Sequence, residues 1–142
     1  MAVRIFHPGV KLPIRVKARL TQFIPELFDR ERKPLRDLSI IFCTDDQLLS
    51  LNREFLGHED YTDILTFDLS VPPRQGMTGE LYISVERVRE NAAKFKESFD
   101  NELYRVIFHG MLHLCGYKDK TRKEKLLIRQ KENEYVEMFF GR

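Results

Sequence analysis

The spacing of apolar residues along the chain predicts alternating strands and helices. Val3 and Ile5 alternate with polar residues ahead of a His-Pro-Gly turn, which is typical of a short strand. Pro13 is expected to open a helix that runs to about Phe28, because apolar residues then recur at helical spacing. Pro25 lies inside this pattern and predicts a kink or an early end. The apolar residues of the helix are Ile14, Val16, Leu20, Phe23, Ile24, Leu27 and Phe28.

The middle of the chain is predicted to contain three strands and one helix. Residues 35–43 and 62–69 are rich in β-branched and aromatic side chains and indicate two strands. Between them, Thr44 or Asp45 is expected to cap a helix. Residues 70–79 contain two prolines and two glycines, so they are expected to form an exposed loop before a strand at 81–84.

The last third of the chain is predicted to be helical. Val85, Val88, Ala92 and Phe95 recur every three or four residues, as on the apolar face of an amphipathic helix. The apolar run 103–115 predicts a second helix, and a basic segment after it predicts a third. The third helix is expected to direct apolar residues near its end toward the core, namely Tyr135, Met138 and Phe139. This order of elements indicates an α/β (α+β) fold with a mixed sheet.

Size and composition indicate one soluble domain that spans residues 1–142. A chain of 142 residues can bury about two-thirds of its unfolded surface, and 42% hydrophobic with 32% charged residues is ordinary for a globular protein. No secretory leader and no membrane-spanning apolar stretch is apparent, so we expect a cytoplasmic protein without membrane association. Cys43 and Cys115 are expected to be free, buried thiols, with Cys115 directed toward the core.

Residues 109–119 carry the clearest indication of chemistry, with the sequence His-Gly-Met-Leu-His-Leu-Cys-Gly-Tyr-Lys-Asp. On a helix, His109 and His113 lie one turn apart and project from the same face. Gly116 can adopt a positive φ and end the helix, after which Asp119 can approach the two imidazoles. Two imidazoles and one carboxylate can hold a divalent metal and leave a position for water.

The motif has explanations other than the metal site of a hydrolase. Histidines on an apolar face are often core residues bonded to carbonyls, but burying two imidazoles without partners costs on the order of a few kcal/mol. A shared metal removes that cost for both. The spacing also matches metzincin peptidases, yet Gly110 stands where such a peptidase carries its general base, a glutamate. Two histidines and a carboxylate also bind iron in oxygenases, a remote alternative.

The motif resembles the YbeY family of bacterial endoribonucleases and ribosomal RNA maturation factors. Residues 109–117 match its H-G-x-L-H-L-x-G-Y core. Leu51-Asn52 followed by Thr-Asp-Ile-Leu-Thr-Phe at 62–67 resembles the family's L-N…T-D-V-L-S-F segment. Residues 79–84, Gly-Glu-Leu-Tyr-Ile-Ser, resemble its G-D-I-x-I-S strand. The close resemblance covers about residues 45–119.

The resemblance implies a fold, an activity and a ligand set. It implies a four-stranded mixed sheet with about five helices and the motif helix at the centre. The implied activity is that of a metal-dependent endoribonuclease in small-subunit ribosomal RNA 3′-end processing and ribosome quality control. His109, His113 and Asp119 would be both metal ligands and catalytic residues. The ion would be zinc, with manganese, iron, cobalt or nickel open because of the carboxylate. Ribosomal RNA and the small ribosomal subunit would be the partners.

The sequence departs from the family pattern at three places. Lys118 and Asp119 stand where the family has Asp-His, Leu56 replaces its usual arginine, and Tyr61 replaces a common proline. These changes keep an alternative open: a ribosome-assembly or RNA-binding factor with a structural metal and little catalysis. If Asp119 is not the third ligand, His58 is the first residue to consider instead.

The distribution of basic residues leans toward RNA, although the net charge of +2 is too small to diagnose a nucleic-acid binder. Seven basic residues lie between positions 118 and 131, against two acidic ones, and begin at the metal motif. A solvated helix face is the alternative explanation. The lysine and arginine side chains of this segment could bind the phosphates of an RNA chain that extends beyond the metal site. The candidate RNA-binding residues are Arg53, Lys118, Lys120, Arg122 and Lys123.

Overall fold

The secondary-structure elements follow one another in the predicted order. A computed structural model describes residues 2–12, 14–72 and 75–141, so Pro13, the predicted start of the first helix, lies outside the described residues. The strands are β1 (Ala2–Phe6), β2 (Leu35–Cys43), β3 (Ile64–Asp68) and β4 (Met77–Ser84). The helices are α1 (Ile14–Arg30), α2 (Asp45–Leu51), α3 (Val85–Lys94), α4 (Phe99–Leu114) and α5 (Arg122–Phe140). A π-helical turn, Asn52–Leu56, continues α2.

The four strands form one mixed sheet in the order β1-β2-β4-β3, which confirms the predicted fold class. β1 and β4 pair in parallel with β2, and β3 pairs antiparallel with β4. The register places Ile40 of β2 beside Leu81 of β4, and Leu65 of β3 beside Tyr82. β3 is therefore an edge strand, and the segment 62–66 that precedes and begins it lies beside the metal motif.

The motif helix α4 is the central helix, as the resemblance implied. Leu103, Ile107, Phe108 and Met111 are fully buried, and the helix contacts both β3 and β4. Gly110 lets α4 approach the sheet closely. A Cβ atom at this position would lie 2.6 Å from Ile64 Cδ1 and 2.9 Å from Leu81 Cδ2.

Pro25 does not end α1, and β4 is longer than predicted. α1 continues past the proline to Arg30, close to the predicted end near Phe28. Leu20, Ile24 and Leu27 are fully buried on this helix, and their packing offsets the backbone hydrogen bond that a proline cannot make. β4 begins at Met77 rather than 81, because the segment pairs with β2, a contact that local composition does not reveal.

Two apolar residues that were expected to face the core are exposed. Val85, Val88 and Ala92 are buried on α3, but Phe95 is 56% exposed. The helix ends at Lys94, and Phe95 has φ −94° and ψ 5°, so its side chain leaves the buried face. Met138 is likewise exposed on α5, where Tyr135 and Phe139 are buried.

Two further observations concern the cysteines and membrane-spanning helices. Cys43 and Cys115 are free and buried, and Cys115 belongs to the main core as expected. Within the described residues, no helix has both the length and the apolar character needed to cross a bilayer.

Candidate metal centre

The structure brings the three predicted ligands together. His109 and His113 lie one turn apart on α4, with their Nε2 atoms 2.9 Å apart. Asp119 Oδ2 lies 3.3 Å from His109 Nε2 and 3.2 Å from His113 Nε2. One ligand atom from each residue lies within 4.8 Å of the others, and no other such cluster occurs in the described part of the chain. This cluster could hold a metal ion; His58 does not belong to it.

The end of α4 explains how Asp119 reaches the histidines. Gly116 has φ +105°, a conformation that favours glycine, and its N–H donates to the carbonyl of His113. The N–H of Tyr117 donates to Leu112 in the same helix ending. The chain therefore reverses direction directly after the helix, as the sequence predicted, and Asp119 returns toward the imidazoles.

Each imidazole is oriented by an acceptor on its other nitrogen. His113 Nδ1 lies 2.9 Å from the carbonyl oxygen of Tyr117, and His109 Nδ1 lies 2.6 Å from Glu132 Oε2. When Nδ1–H donates to these oxygens, the Nε2 lone pairs of both rings point toward each other and toward Asp119. Metal-binding histidines usually have such partners. The donor set therefore fits a divalent transition metal.

Glu132 is a site residue that the sequence analysis missed. It is 3% exposed on α5 and also lies near Arg129, whose Nη1 atom is 3.8 Å from Oε1. A signal was present in the sequence, because a charged residue occupies a core-facing position of an amphipathic helix. The buried positions of α5 are Ile128, Glu132, Tyr135, Val136 and Phe139.

Two ionisable groups at the centre have shifted pKa values. Burial opposes the charged form of His109, but its hydrogen bond to Glu132 and the charges of Glu132, Asp119 and Asp63 outweigh it and raise its pKa. Burial raises the pKa of Asp63 above its usual range, while the charge of His109 acts in the opposite direction. Asp63, which lies beside His109 and Asp119 before β3, also had no role assigned from sequence.

A half-buried carboxylate, that of Glu31, accepts a hydrogen bond from the loop that carries Asp119. The hydroxyl groups of Tyr117 and Tyr135 both donate to Glu31 at the C-terminal end of α1, the first with a length of 2.7 Å. Lys131 Nζ lies 3.8 Å from the same carboxylate. Burial, together with these hydrogen bonds, raises the pKa of both tyrosines. The network fixes the loop against α1 and α5.

An open cleft of about 570 Å³ lies next to the ligand cluster. His109, Asp119 and Glu132 form the side that it shares with the metal centre. Arg105, Lys125 and Arg129 place positive charge around it. Arg105 and Arg129 are near the buried carboxylates of Glu102 and Glu132, whereas Lys125 forms no ion pair with any described residue.

Comparison with known proteins decides the family. The family model described as endoribonuclease YbeY matches residues 11–139. The chain belongs to the YbeY family. An endoribonuclease YbeY from Christiangramia forsetii is 46% identical over 117 residues, covering 82% of this chain and 80% of that protein. One from Bacteroides thetaiotaomicron is 41% identical over 138 residues, covering 97% and 99%. A solution structure from Thermotoga maritima has a TM-score of 0.69 and 31% identity, covering 98% of this chain and 89% of that one.

The positions that depart from the YbeY pattern lie in different surroundings. Asp119 is in the ligand cluster, so its carboxylate stands where the family pattern has an imidazole. Leu56 ends the π-helical turn and is 48% exposed. Tyr61 is also exposed, and its ring lies 5.0 Å from the guanidinium carbon of Arg87.

The predicted RNA-binding residues are not among those that line the cleft. Arg53 lies 2.6 Å from Glu59 in an exposed ion pair. Lys118, Lys120, Arg122 and Lys123 are exposed and form no ion pair with a described residue, but they do not line the cleft beside the metal centre. From the same basic run, Lys125 and Arg129 do line it. Whether the first five bind RNA stays a prediction.

Replacing Glu132 by glutamine is expected to weaken zinc binding roughly 10- to 100-fold, the usual effect of removing a carboxylate behind a histidine ligand. The amide is uncharged and holds the imidazole of His109 less firmly. The dissociation constant, measured by titration against a chromogenic chelator, checks this. Glu134→Gln on the exposed side of α5 is the matched control and should bind zinc like the parent. Equal affinity in both variants would remove Glu132 from the centre.

Proposed function

We propose that the protein is a metal-dependent endoribonuclease that matures ribosomal RNA. The main observation in support is that His109, His113 and Asp119 converge at the side of an open cleft that is also lined by basic residues. The family assignment supports the same activity, because the matched relatives are named endoribonuclease YbeY. We further propose the small-subunit 3′ end as the substrate region, the small ribosomal subunit as partner, and the cytoplasm as location.

His109, His113 and Asp119 are proposed to hold one divalent ion, with zinc first and manganese, iron, cobalt or nickel as alternatives. When bound, such an ion acidifies water and polarises a phosphoryl oxygen. Glu132 and the carbonyl of Tyr117 keep the two imidazoles oriented for this role. The three ligand residues are thus the proposed catalytic residues. Asp63, whose carboxyl group lines the same pocket, is a further group able to accept a proton.

Charge for holding the RNA backbone is proposed to come from the cleft. Leu56 cannot supply the cation that the family pattern has at this position. Lys125 lines the cleft without an ion-pair partner among the described residues, so its ammonium group is free to meet a phosphate. Arg105 and Arg129 add charge but share it with Glu102 and Glu132.

The alternative functions receive less support from the site. A peptidase of this ligand spacing needs a glutamate at position 110, and a side chain there would collide with Ile64 and Leu81. Membership of a family of endoribonucleases also makes an assembly factor without catalytic activity the less favoured alternative. We propose that the endoribonuclease domain spans residues 1–142, because β1, which precedes the matched segment, pairs with β2 of the same sheet.

Cleavage of a precursor of small-subunit ribosomal RNA tests this proposal. The zinc-loaded protein should cut the RNA internally, the chelator-treated protein should not, and added zinc should restore cutting. A denaturing gel with end-labelled RNA measures all three. Tight binding without any cutting by the loaded protein would favour the assembly-factor alternative. Cutting that persists after verified removal of metal would contradict the proposed mechanism.

The basic run is expected to contribute affinity that depends on salt. Each phosphate contact to single-stranded RNA contributes about 0.7 to the slope of log affinity against log salt. Reversing Lys120, Arg122 and Lys123 to glutamate should therefore lower that slope by about 2 and weaken binding similarly for different RNA sequences. Fluorescence anisotropy at several salt concentrations measures the slope.

A control with the same change in net charge separates contacts from general repulsion. Reversing Lys11, Lys17 and Arg36, which are exposed and do not line the cleft, provides it. If both triple variants lose the same affinity and slope, the basic run is a solvated helix face.

A further inference from the structure

Two large, exposed apolar side chains line the cleft beside the metal centre. Phe95 follows the last residue of α3 and is 56% exposed, although the rest of its apolar stripe is buried. Leu126 lies on α5 outside that helix's buried positions and is 64% exposed. Both line the same cleft as His109 and Asp119. Packing in the hydrophobic core therefore does not explain why these two positions are apolar.

The charges around these two residues suit a ligand that is apolar on its faces and anionic at one end. Lys125 precedes Leu126 and lines the cleft, and Arg129 lies one turn further along α5. Lys94 Nζ lies 5.7 Å from the centroid of the Phe95 ring. A nucleotide has this combination, because its base offers a π face and its phosphate a negative charge.

We propose that Phe95 and Leu126 form a subsite that stacks one nucleobase of a single-stranded RNA, next to the phosphate held at the metal centre. The subsite rests on the proposed endoribonuclease function and adds to it a place for a base beside the reacting bond. Phe95 provides the aromatic surface, and Leu126 provides an aliphatic surface within the same cleft.

Polar groups in the cleft favour a base over a purely apolar ligand. The carboxylates of Asp63 and Glu102 line it, and Asn91 Nδ2 lies 3.4 Å from Asp63 Oδ2. A lipid chain in this cleft would cover these groups without offering them hydrogen bonds, which is costly. The edges of a nucleobase carry both donors and acceptors and can replace the water that such groups lose.

The absence of tryptophan from the sequence allows a direct test. Phe95→Trp introduces a single indole at the proposed stacking surface, and Phe6→Trp places one on β1, at the edge of the sheet opposite β3. Single-stranded RNA should quench the fluorescence of the Phe95→Trp variant and leave that of Phe6→Trp unchanged. Anisotropy of labelled RNA verifies that both variants bind, and a denaturing gel verifies that the RNA is intact during the measurement.

An RNA with one base removed locates the contact. Abasic sites are moved through the oligonucleotide one position at a time, and one position should abolish the quenching. Phe95→Ala should weaken RNA binding roughly tenfold, within the range found for stacking of one base on an aromatic side chain. Against the RNA that lacks the stacked base, Phe95→Ala should cause no further loss. Leu126→Ala should weaken binding, whereas Leu127→Ala, which lines a different cavity, should not.

The possible outcomes separate this subsite from the endoribonuclease proposal. Quenching in Phe95→Trp only, lost with one base, supports the subsite. RNA that binds and is cut, without quenching and with full affinity in Phe95→Ala, overturns the subsite and leaves the endoribonuclease in place. Failure of the zinc-loaded parent to bind or cut any RNA overturns both.

Discussion

Replacing His113 by alanine is expected to remove stoichiometric metal binding and, with it, RNA cleavage. The candidate centre has three proposed ligands within 4.8 Å, and no further His, Cys, Asp or Glu joins this group among the described residues. Structural zinc sites with four ligands bind with roughly 10–16 kcal/mol, which is about 3 kcal/mol per ligand. Loss of one ligand should therefore weaken binding by at least about 100-fold. His109→Ala should have the same effect.

Elemental analysis of the dialysed proteins and a thermal melt with added zinc measure this loss. At a zinc concentration 100 times the dissociation constant, binding stabilises the folded state by about 2.7 kcal/mol. For a domain of this size, this corresponds to roughly 5–10 °C in Tm for the parent. A variant that binds 100-fold more weakly gains only about 0.4 kcal/mol, so the shift for His113→Ala should not exceed about 1 °C. His58→Ala is the control and should behave like the parent. Full metal occupancy in His109→Ala or His113→Ala would exclude the proposed centre.

Replacing Asp119 is expected to change both the affinity and the identity of the metal. Asp119→Ala removes one of three ligands and should weaken binding by about 100-fold, by the reasoning used for His113. Asp119→Asn keeps the shape of the side chain but loses its charge, so its affinity should lie between those of the parent and Asp119→Ala. If Asp119→Ala binds metal like the parent with unchanged pH dependence, the third ligand is another group, and Asp63, which lines the same pocket as the two histidines, would be tested first.

The substitution Asp119→His separates the role of charge from that of ligand number. It restores the family pattern of three imidazoles, which are neutral, and should therefore keep the metal and favour zinc more strongly over manganese or iron. A metal without the carboxylate is more electron-poor and makes water more acidic. The pH profile of cleavage should consequently move to lower pH. Competition between metals, followed by mass spectrometry, and cleavage rates from pH 5 to 9 measure the two effects.

The metal motif was predictable because its geometry is local. His109 and His113 are four residues apart on one helix, and Gly116 ends that helix, so their convergence with Asp119 follows from sequence spacing alone. The mixed sheet was likewise predictable from the order and composition of its elements. The apolar spacing also predicted a first helix that runs past Pro25. Whether the proline would end that helix early could not be decided from sequence, because the buried contacts that compensate for it come from distant parts of the chain.

The residues that sequence analysis missed depend on contacts between elements. Glu132 reaches His109 across the interface of α4 and α5, and periodicity within one helix does not specify which helix it faces. In the sequence, Phe95 continues the apolar stripe of α3. In the structure, the helix ends one residue before it, so Phe95 does not share the buried face. The early start of β4 required knowledge of its partner strand. In each case the missing information is tertiary rather than local.

The hydrogen bonds to Glu31 have a consequence for the thermodynamics of metal binding. Through this carboxylate, Tyr117 in the loop between α4 and α5 is linked to Tyr135 on α5, and the carbonyl of Tyr117 also lies beside His113 Nδ1. None of these contacts uses an atom proposed to bind the metal, so they can order the backbone leading to Asp119 without an ion. Ordering a free loop would cost about 1–2 kcal/mol of backbone entropy per residue. A preorganised loop does not incur that cost on binding, so more of the intrinsic coordination energy appears as affinity.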